Sequence, residues 1–327
     1  MAIMKTETST YRYLFGPVPS RRLGLSLGVD LVPMKTCSLN CVFCEVGRTT
    51  RHTLERREYV PLRDVLAELE LWESRGGRAE YITLAGSGEP TLHTGFGRVL
   101  EFVRSRPRFA SALLTNGTLF TESDVRRDAC AADVVKLSLS AWDQASFERL
   151  HRPCKGVTLT DMVAGYRAFR RDYKGTLWVE VFLVPGFNDR TEDVRRIAAL
   201  VASVAPDRIH LNTAVRPTAE QGVGLVEADR LEQLADLFRP RADVIASFSS
   251  RQADGGATDD TAILDMLRRR PCTAAQVAAA FGLEVGRVQR MLENSLRRGD
   301  VEAVDQGGEK YFVGRRASSA AAGTDNE

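Results

Sequence analysis

Between about Ser26 and Ser250 the chain alternates short β-branched runs with amphipathic stretches, and this rhythm restricts the fold more than any other feature. Strands are expected at 26–32, 81–86, 111–117, 134–140, 177–184, 208–213 and 243–249. The segment "PLRDVLAELELWESR" (61–75) places Val65, Leu66, Leu69 and Trp72 at helical spacing, with Pro61 near its start. "TEDVRRIAALVASV" (191–204), with Thr191 as N-cap, and "EADRLEQLADLFR" (227–239) read the same way. Strands and helices repeated at this interval predict βαβ units, a parallel sheet and a curved or closed barrel, an α/β fold.

After Ser250 the rhythm stops. The polar "RQADGG" makes 251–256 a linker, and helices follow at 261–271, 273–282 and 284–299. Two short strands around Gly307–Gly308 end the pattern at 314. Three helices and a hairpin predict a winged-helix domain over 257–314. The tail from 315 to 327 has too few large apolar side chains to bury and is expected to be disordered.

Composition narrows the function classes. Of the 327 residues, 43% are hydrophobic and 27% charged, as in ordinary globular proteins. A net charge of +2 predicts neither a nucleic-acid coat nor attachment to an anionic membrane. No run of about 18 apolar residues and no signal-peptide core occur, so the expected compartment is the cytoplasm. Thiols stay reduced there, and the six cysteines are not read as disulfides.

Three of those cysteines crowd into "KTCSLNCVFCEVG": Cys37, Cys41 and Cys44, spaced C-x3-C-x2-C. A closed zinc site or a ferredoxin cluster takes four protein ligands. Three thiolates can hold three corners of a [4Fe-4S] cube and leave the fourth iron open to a ligand. A zinc knuckle completed by a distant residue is the competing reading, with His52 within reach. Cys130, Cys154 and Cys272 are isolated in the sequence.

Further motifs follow in order. Phe43 precedes the third cysteine, "LAGSGEPTL" (84–92) ends the second strand, "TNG" (115–117) the third and "SLSAWD" (138–143) the fourth. Together with C-x3-C-x2-C over roughly 11–250, they resemble the radical S-adenosylmethionine superfamily. The opening "FGPVPSRRLGLSLGVDL" with "GEPTL" is similar to the branch near the wyosine-base-forming enzymes. The resemblance implies a partial (β/α)6-type barrel over 1–250, including an N-terminal extension. It also implies one [4Fe-4S] cluster on Cys37, Cys41 and Cys44, with S-adenosyl-L-methionine chelated to the open iron. One electron, from a donor such as flavodoxin or ferredoxin, would break the sulfonium. The resulting 5′-deoxyadenosyl radical would abstract hydrogen from a substrate, an RNA base or nucleoside by family neighbourhood. The alternatives are an activase installing a glycyl radical on a partner enzyme and a non-catalytic iron–sulfur sensor.

The resemblance also names the cofactor-binding residues: Phe43, Gly86, Gly88, Glu89, Asn116, Ser138, Ser140 and Asn212. Their chemistry suits the task. Gly86 and Gly88 let backbone approach a ligand closely, and Glu89 offers an acceptor-only carboxylate to an ammonium group. Ser138 and Ser140 alternate with Leu137 and Leu139, so both face one side of a strand. Asn116 fits either a ligand contact or a turn. Asn212 alternates in phase with His210. Arg21 and Arg22 precede the first strand and could meet an anionic substrate group. No cysteine lies upstream of Cys37, where the wyosine-forming relatives carry a second cluster.

In the C-terminal segment (257–316), ten Lys/Arg meet nine Asp/Glu. Phosphate binding needs several uncompensated cations, so weak or no DNA binding is expected. Arg287 and Arg290 should face outward on helix 284–298, with Val285, Val288, Met291, Leu292 and Leu296 packed inward.

Overall fold

The computed structural model describes residues 11–20, 22–245, 260–306 and 308–315. The expected 251–256 linker, the disordered tail beyond 315, and Arg21 lie outside the described residues.

The chain builds β1 (Leu14–Ser20), β2 (Gly24–Val29), the two-residue β3 (Thr36–Cys37) and β4 (Arg51–His52), then α1 (Leu62–Ser74). There follow β5 (Tyr81–Leu84), α2 (Phe96–Arg104), β6 (Ala110–Leu114), α3 (Ser123–Ala129), β7 (Val134–Ser138), α4 (Gln144–His151) and α5 (Leu159–Asp172). Next come β8 (Thr176–Leu183), α6 (Thr191–Val204), β9 (Arg208–Thr213), α7 (Ala228–Ala235) and β10 (Asp243–Val244). The C-terminal elements are α8 (Asp260–Arg269), α9 (Ala274–Phe281), α10 (Val285–Arg298), β11 (Val301–Gln306) and β12 (Glu309–Gly314).

Eight strands form one sheet in the order β1-β2-β5-β6-β7-β8-β9-β10. Only β1 runs antiparallel; the others pair in parallel, each with the next strand of its kind. The alternation of side chains then sorts the two faces. Leu137, Val179, Val181, Ile209 and Leu211 are fully or almost fully buried in the main core, together with Phe169, Ile197 and Val201 of the covering helices. The opposite, concave face is layered. Near the N-terminal ends of the strands, Leu23, Ala112, Val134 and Trp178 form an apolar floor. Near the C-terminal ends, Phe182 joins Val42, Leu150, Val184 and Ala214 in a second apolar group. Between these layers lie Lys136, Glu180, His210 and Asn212, all buried.

Several strands are shorter than the apolar runs suggest because the chain turns into a loop before the run ends, whereas β9 has the expected bounds. The strand expected through Gly86 ends at Leu84. The helix at 191–204 has Arg190, not Thr191, at its N-cap, without a side-chain cap. Val285 is exposed at 42%, a correction to its expected inward packing: it opens α10, ahead of the turn that reaches the small core of Val288 and Leu292. Arg287 and Arg290 are exposed.

The C-terminal elements sit on the barrel. Their core, including Ile263, Met266, Leu267 and Val277, takes in Val18 of β1. The Arg269 Nε atom pairs with Asp30 Oδ2 at 2.6 Å and the guanidinium lies over the Phe15 ring. From the hairpin, Tyr311 Oη donates to the Val215 carbonyl at 2.6 Å, and Gln306 Nε2 donates to the carbonyls of Ala214 and Arg216. Asp30 and residues 214–216 follow β2 and β9 directly, so these contacts fall at the C-terminal mouth of the barrel.

Candidate active site

The cysteine loop leaves β3 and is pinned along its length. β3 pairs with β4, Thr53 N bonds to the Cys37 carbonyl, and Asn40 N and Val42 N bond to the His151 and Leu150 carbonyls. Lys35 enters the loop with a left-handed φ of 59°. Its amide bonds to the Ser87 carbonyl at 2.6 Å, and its carbonyl accepts from Thr50 and Arg51. A residue other than glycine held there signals a backbone fixed by its surroundings.

Each of the three thiols has a nitrogen beside it. Lys35 Nζ lies 3.0 Å from Cys44 Sγ, His151 Nδ1 3.2 Å from Cys41 Sγ, and Asn116 Nδ2 and Leu39 N each 3.5 Å from Cys37 Sγ. Burial, reinforced by Glu89, pushes the Cys37 thiol up to about 12. Burial with the neighbouring Cys44 and Cys37 raises Cys41 as well. A thiolate is the ligating form, so a metal centre would displace these protons. Among the described residues, no three His, Cys, Asp or Glu side chains converge to hold one metal ion. A zinc ion needs four donors converging at about 2.0–2.3 Å, whereas a cube takes one thiolate at each of three irons. The three sulfurs on one half-buried loop, each beside a nitrogen group, therefore fit a cluster better than a single ion. Hydrogen bonds to sulfur tune the potential of such a cluster. His52, the alternative ligand, is exposed and contacts the Ser38 carbonyl.

The glycine-rich segment packs directly under this loop. A Cβ on Gly88 would stand 1.9 Å from the Thr36 carbonyl oxygen, and Gly86 has φ of 110°. Gly88 is thus required by the backbone that launches Cys37. Ser87 N donates to Asp30 Oδ1 at 2.8 Å. Glu89 is buried, and its carboxylate accepts four bonds: from Thr91 N, Thr91 Oγ1, Thr115 Oγ1 and Asn116 N, at 2.6–3.0 Å. Burial raises its pKa against the pull of these donors. A carboxylate has about four acceptor positions, so the side chain is taken up in joining the ends of β5 and β6. The expected ammonium contact would cost one of these bonds.

The remaining residues divide. Phe43 stacks on Phe182, ring centroids 4.3 Å apart, and meets His151 edge-on. Asn116 makes the turn: its Oδ1 accepts from Thr118, while its Nδ2 reaches Ser38 Oγ at 3.0 Å and Cys37 Sγ at 3.5 Å. Ser138 Oγ accepts from Lys136 Nζ at 3.2 Å on the concave face. Ser140 is buried, and its hydroxyl accepts from Phe182 N at 2.8 Å, which ties the end of β7 to β8. Asn212 donates to Glu180 Oε1 at 3.1 Å. Ser138, Glu180 and Asn212 are thus linked through Lys136 and one another, while Gly88, Glu89 and Asn116 gather beside Thr36 and Cys37 and Gly86 lies against Asp30 and Phe15.

Sequence reasoning missed several participants. Lys136 and Glu180 sit inside strands that read as apolar, and alternation with Leu137 and Val179 was the available signal. Lys35 was visible only as the residue two before Cys37. Tyr166 is fully buried and bridges the Asn116 and Ser138 carbonyls, and His151 joins the site from 110 residues away. No local pattern marks either one.

Residues 31–200 match the family model described as "Radical SAM superfamily". The chain belongs to the radical SAM superfamily. Its members' cofactors are a [4Fe-4S] cluster and S-adenosylmethionine, and radical cleavage of S-adenosylmethionine is their shared chemistry. This radical SAM chain is 33% identical over 226 residues to "UPF0026 protein MJ1312" of Methanocaldococcus jannaschii, covering 68% of this chain and 70% of that one. It is 32% identical over 315 residues to a Brachyspira hyodysenteriae protein named "GTPase Obg", covering 94% of this chain but only 46% of that relative. No G-x-x-x-x-G-K-[ST] phosphate loop occurs in the present sequence. A radical SAM methyltransferase from Sphaerobacter thermophilus shares the fold with a TM-score of 0.50 at 20% identity, over 67% of this chain and 65% of its own. No helix among the described residues is long and apolar enough to cross a membrane.

Proposed function

We propose that this radical SAM chain abstracts hydrogen from a nucleoside or RNA base held in the concave face of the barrel. The observation that carries the reading is the polar layer of Lys136, Ser138, Glu180, His210 and Asn212, placed between the apolar floor and the Phe43–Phe182 stack. Cys37, Cys41 and Cys44 would hold the cluster, which with S-adenosylmethionine would supply one-electron cleavage of the sulfonium and removal of a hydrogen atom from carbon. The protein's own part is positional. The Glu89 bonds fix the strand ends beside the cluster loop, Lys35, Asn116 and His151 set the sulfur environment, and the polar layer orients the substrate. A base enters such a slot edge-first, and the aromatic pair above offers it a stacking surface.

A flavodoxin or ferredoxin is the proposed electron donor. The surface beside the cysteine loop supports this, since Arg48, Arg152 and Lys155 are exposed there. Glu220 bridges Arg48 and Arg152 at 2.8 and 2.7 Å, and an acidic carrier could compete with it for both.

The test is mass spectrometry of digested RNA and extracted nucleosides from a deletion strain against wild type. A modified nucleoside that disappears on deletion, and returns with the wild-type gene but not with Cys41→Ala, is the expected result. Identical nucleoside profiles would turn attention to a substrate of another class.

A further inference from the structure

The polar layer holds more positive charge than its own carboxylate can balance. Arg22 reaches in from the β1–β2 turn, its NH1 atom 2.8 Å from Glu180 Oε1. Lys136 Nζ lies 2.9 Å from Glu180 Oε2. Side-chain exposure is 16% for Arg22, 11% for Lys136 and 10% for Glu180. Asn212 adds a third donor to the same carboxylate. Among the described residues, two cations and one anion thus share a space largely screened from water. Buried charges are normally paired, because taking one out of water costs several kcal/mol unless a partner compensates. Asp243 faces His210 from β10, but it is exposed to solvent.

A second observation points the same way. The His210 Nδ1 atom makes no hydrogen bond among the described residues. His210 is 3% exposed and packs edge-on against Trp178, ring centroids 4.9 Å apart. Buried polar atoms without partners mark strain, a missing solvent molecule or a ligand position. Here the orphaned His210 atom lies beside the Arg22, Lys136 and Glu180 charges on the concave face. Glu180 and Phe182 are two residues apart on one strand face, which sets them about 7 Å apart along β8. Phe182 stacks on Phe43, the residue before Cys44. The surplus charge therefore lies one side-chain layer below the cluster loop.

We propose that Arg22, Lys136 and His210 form a substrate anchor for an oxyanion, a carboxylate or a phosphate, carried by the molecule that undergoes hydrogen abstraction. The proposal rests on the reading of the barrel as the substrate chamber, and it makes the substrate anionic. For a nucleoside it selects the phosphorylated form. The oxyanion would accept from Arg22 NH1 and Lys136 Nζ, leaving Glu180 to orient both cations. Anchoring at the floor would hold the reacting carbon toward the cluster loop.

Tryptophan fluorescence of the cluster-loaded protein tests this, because Trp178 touches His210; the contribution of Trp178 is defined by Trp178→Phe. The probes are inorganic phosphate and acetate, compared with chloride at equal ionic strength, then a nucleoside 5′-monophosphate compared with the bare nucleoside. A saturable change with phosphate or acetate is expected, absent with chloride and persisting under saturating S-adenosylmethionine. Preference for phosphate identifies a phosphoryl substrate, and preference for acetate a carboxylate one. Lys136→Met and Arg22→Gln should each weaken the response at least tenfold while keeping wild-type circular dichroism and iron content. Lys136→Met leaves one cation facing Glu180, so its fold should hold. Should Lys136→Met lose iron or structure, Arg22→Gln and the charge-matched Lys136→Met/Glu180→Gln pair carry the comparison. No saturable response, an equal response in all the variants, or loss of the response on adding S-adenosylmethionine would overturn the anchor. The measurement requires no turnover, so it can fail while the RNA comparison succeeds, and the reverse.

Discussion

Asp30 holds Arg269 with one carboxylate oxygen and the Ser87 amide with the other, at 2.6 and 2.8 Å. One side chain thus connects the C-terminal helices to the glycine-rich segment beside the cluster loop. Arg269→Met removes a largely buried ion pair, a change that costs about 3–5 kcal/mol when the remaining charge is left buried. The retained Ser87 bond places the expected loss at the lower end. Thermal unfolding should show it, and equilibrium dialysis should show S-adenosylmethionine affinity falling about tenfold as the segment at Gly86–Ser87 loosens. Unchanged affinity in a destabilised variant would confine Asp30 to a structural role.

Replacing Cys37, Cys41 or Cys44 by Ala should abolish the visible absorbance of the anaerobically reconstituted protein. The wild type should carry about four iron and four sulfide. Cys130→Ala, Cys154→Ala and Cys272→Ala should keep both. Stoichiometric zinc without sulfide in the wild type would contradict the assignment.

Glu89→Gln replaces one acceptor oxygen with an amide nitrogen. Whichever way that amide turns, at least one of the four donors around it loses its acceptor. Urea unfolding of the cofactor-free protein should report a loss of about 1–3 kcal/mol, the cost of a buried donor left unsatisfied. A carboxylate serving mainly to receive the ammonium of S-adenosylmethionine would instead leave cofactor-free stability unchanged and reduce only affinity.

Burial, with Arg22 nearby, lowers His210 to about 4. In the unfolded chain this histidine takes up a proton near pH 6.5. Between those values the unfolded state holds the extra proton, so stability is fully present above about pH 6.5 and is lost as pH falls toward 4. The shift corresponds to about 3 kcal/mol. The stability difference between wild type and His210→Gln should therefore change across that window and level off outside it. A constant difference from pH 7 to pH 4 would show that His210 is not held neutral by the fold.

Arg287 and Arg290 are exposed on α10, but Glu284 lies at its N-terminus with its carboxylate occupied by the Gly286 and Arg287 amides. Glu293 is exposed one turn beyond Arg290. The full chain should bind duplex DNA or structured RNA only weakly through this face, with a shallow dependence on salt. Fluorescence anisotropy across a salt series measures both. Nanomolar, sequence-specific binding at physiological salt would revive the sensor reading.

How much of this was legible in the sequence depended on whether a feature is local. The C-x3-C-x2-C loop, the strand–helix rhythm and the outward arginines of α10 follow from spacing within one element. Glu89 stands out in the sequence as a carboxylate at a strand end, but its four donors come partly from residues 115 and 116, and no motif states which way a carboxylate will turn. Ser140 reads as a cofactor-facing residue because it is in phase with Ser138. The strand ends at Ser138, and beyond it the Ser140 hydroxyl bonds to the backbone of β8. His151 was hidden because its role depends on α4 ending against the cysteine loop. Glu180 was hidden because a charged residue in an apolar run gains meaning only from the cations brought to it by other strands.

The Phe43–Phe182 stack makes the cysteine loop and β8 neighbours, and β8 carries Glu180 two residues below. An occupant that shifts β8 at Glu180 would act on the aromatic ring next to Cys44. If filling the polar layer changes the ease with which a cluster on that loop accepts an electron, then reducing the cluster must change the hold on the occupant by the same factor. Such a chain would keep its radical chemistry in step with its cargo without a separate signalling element.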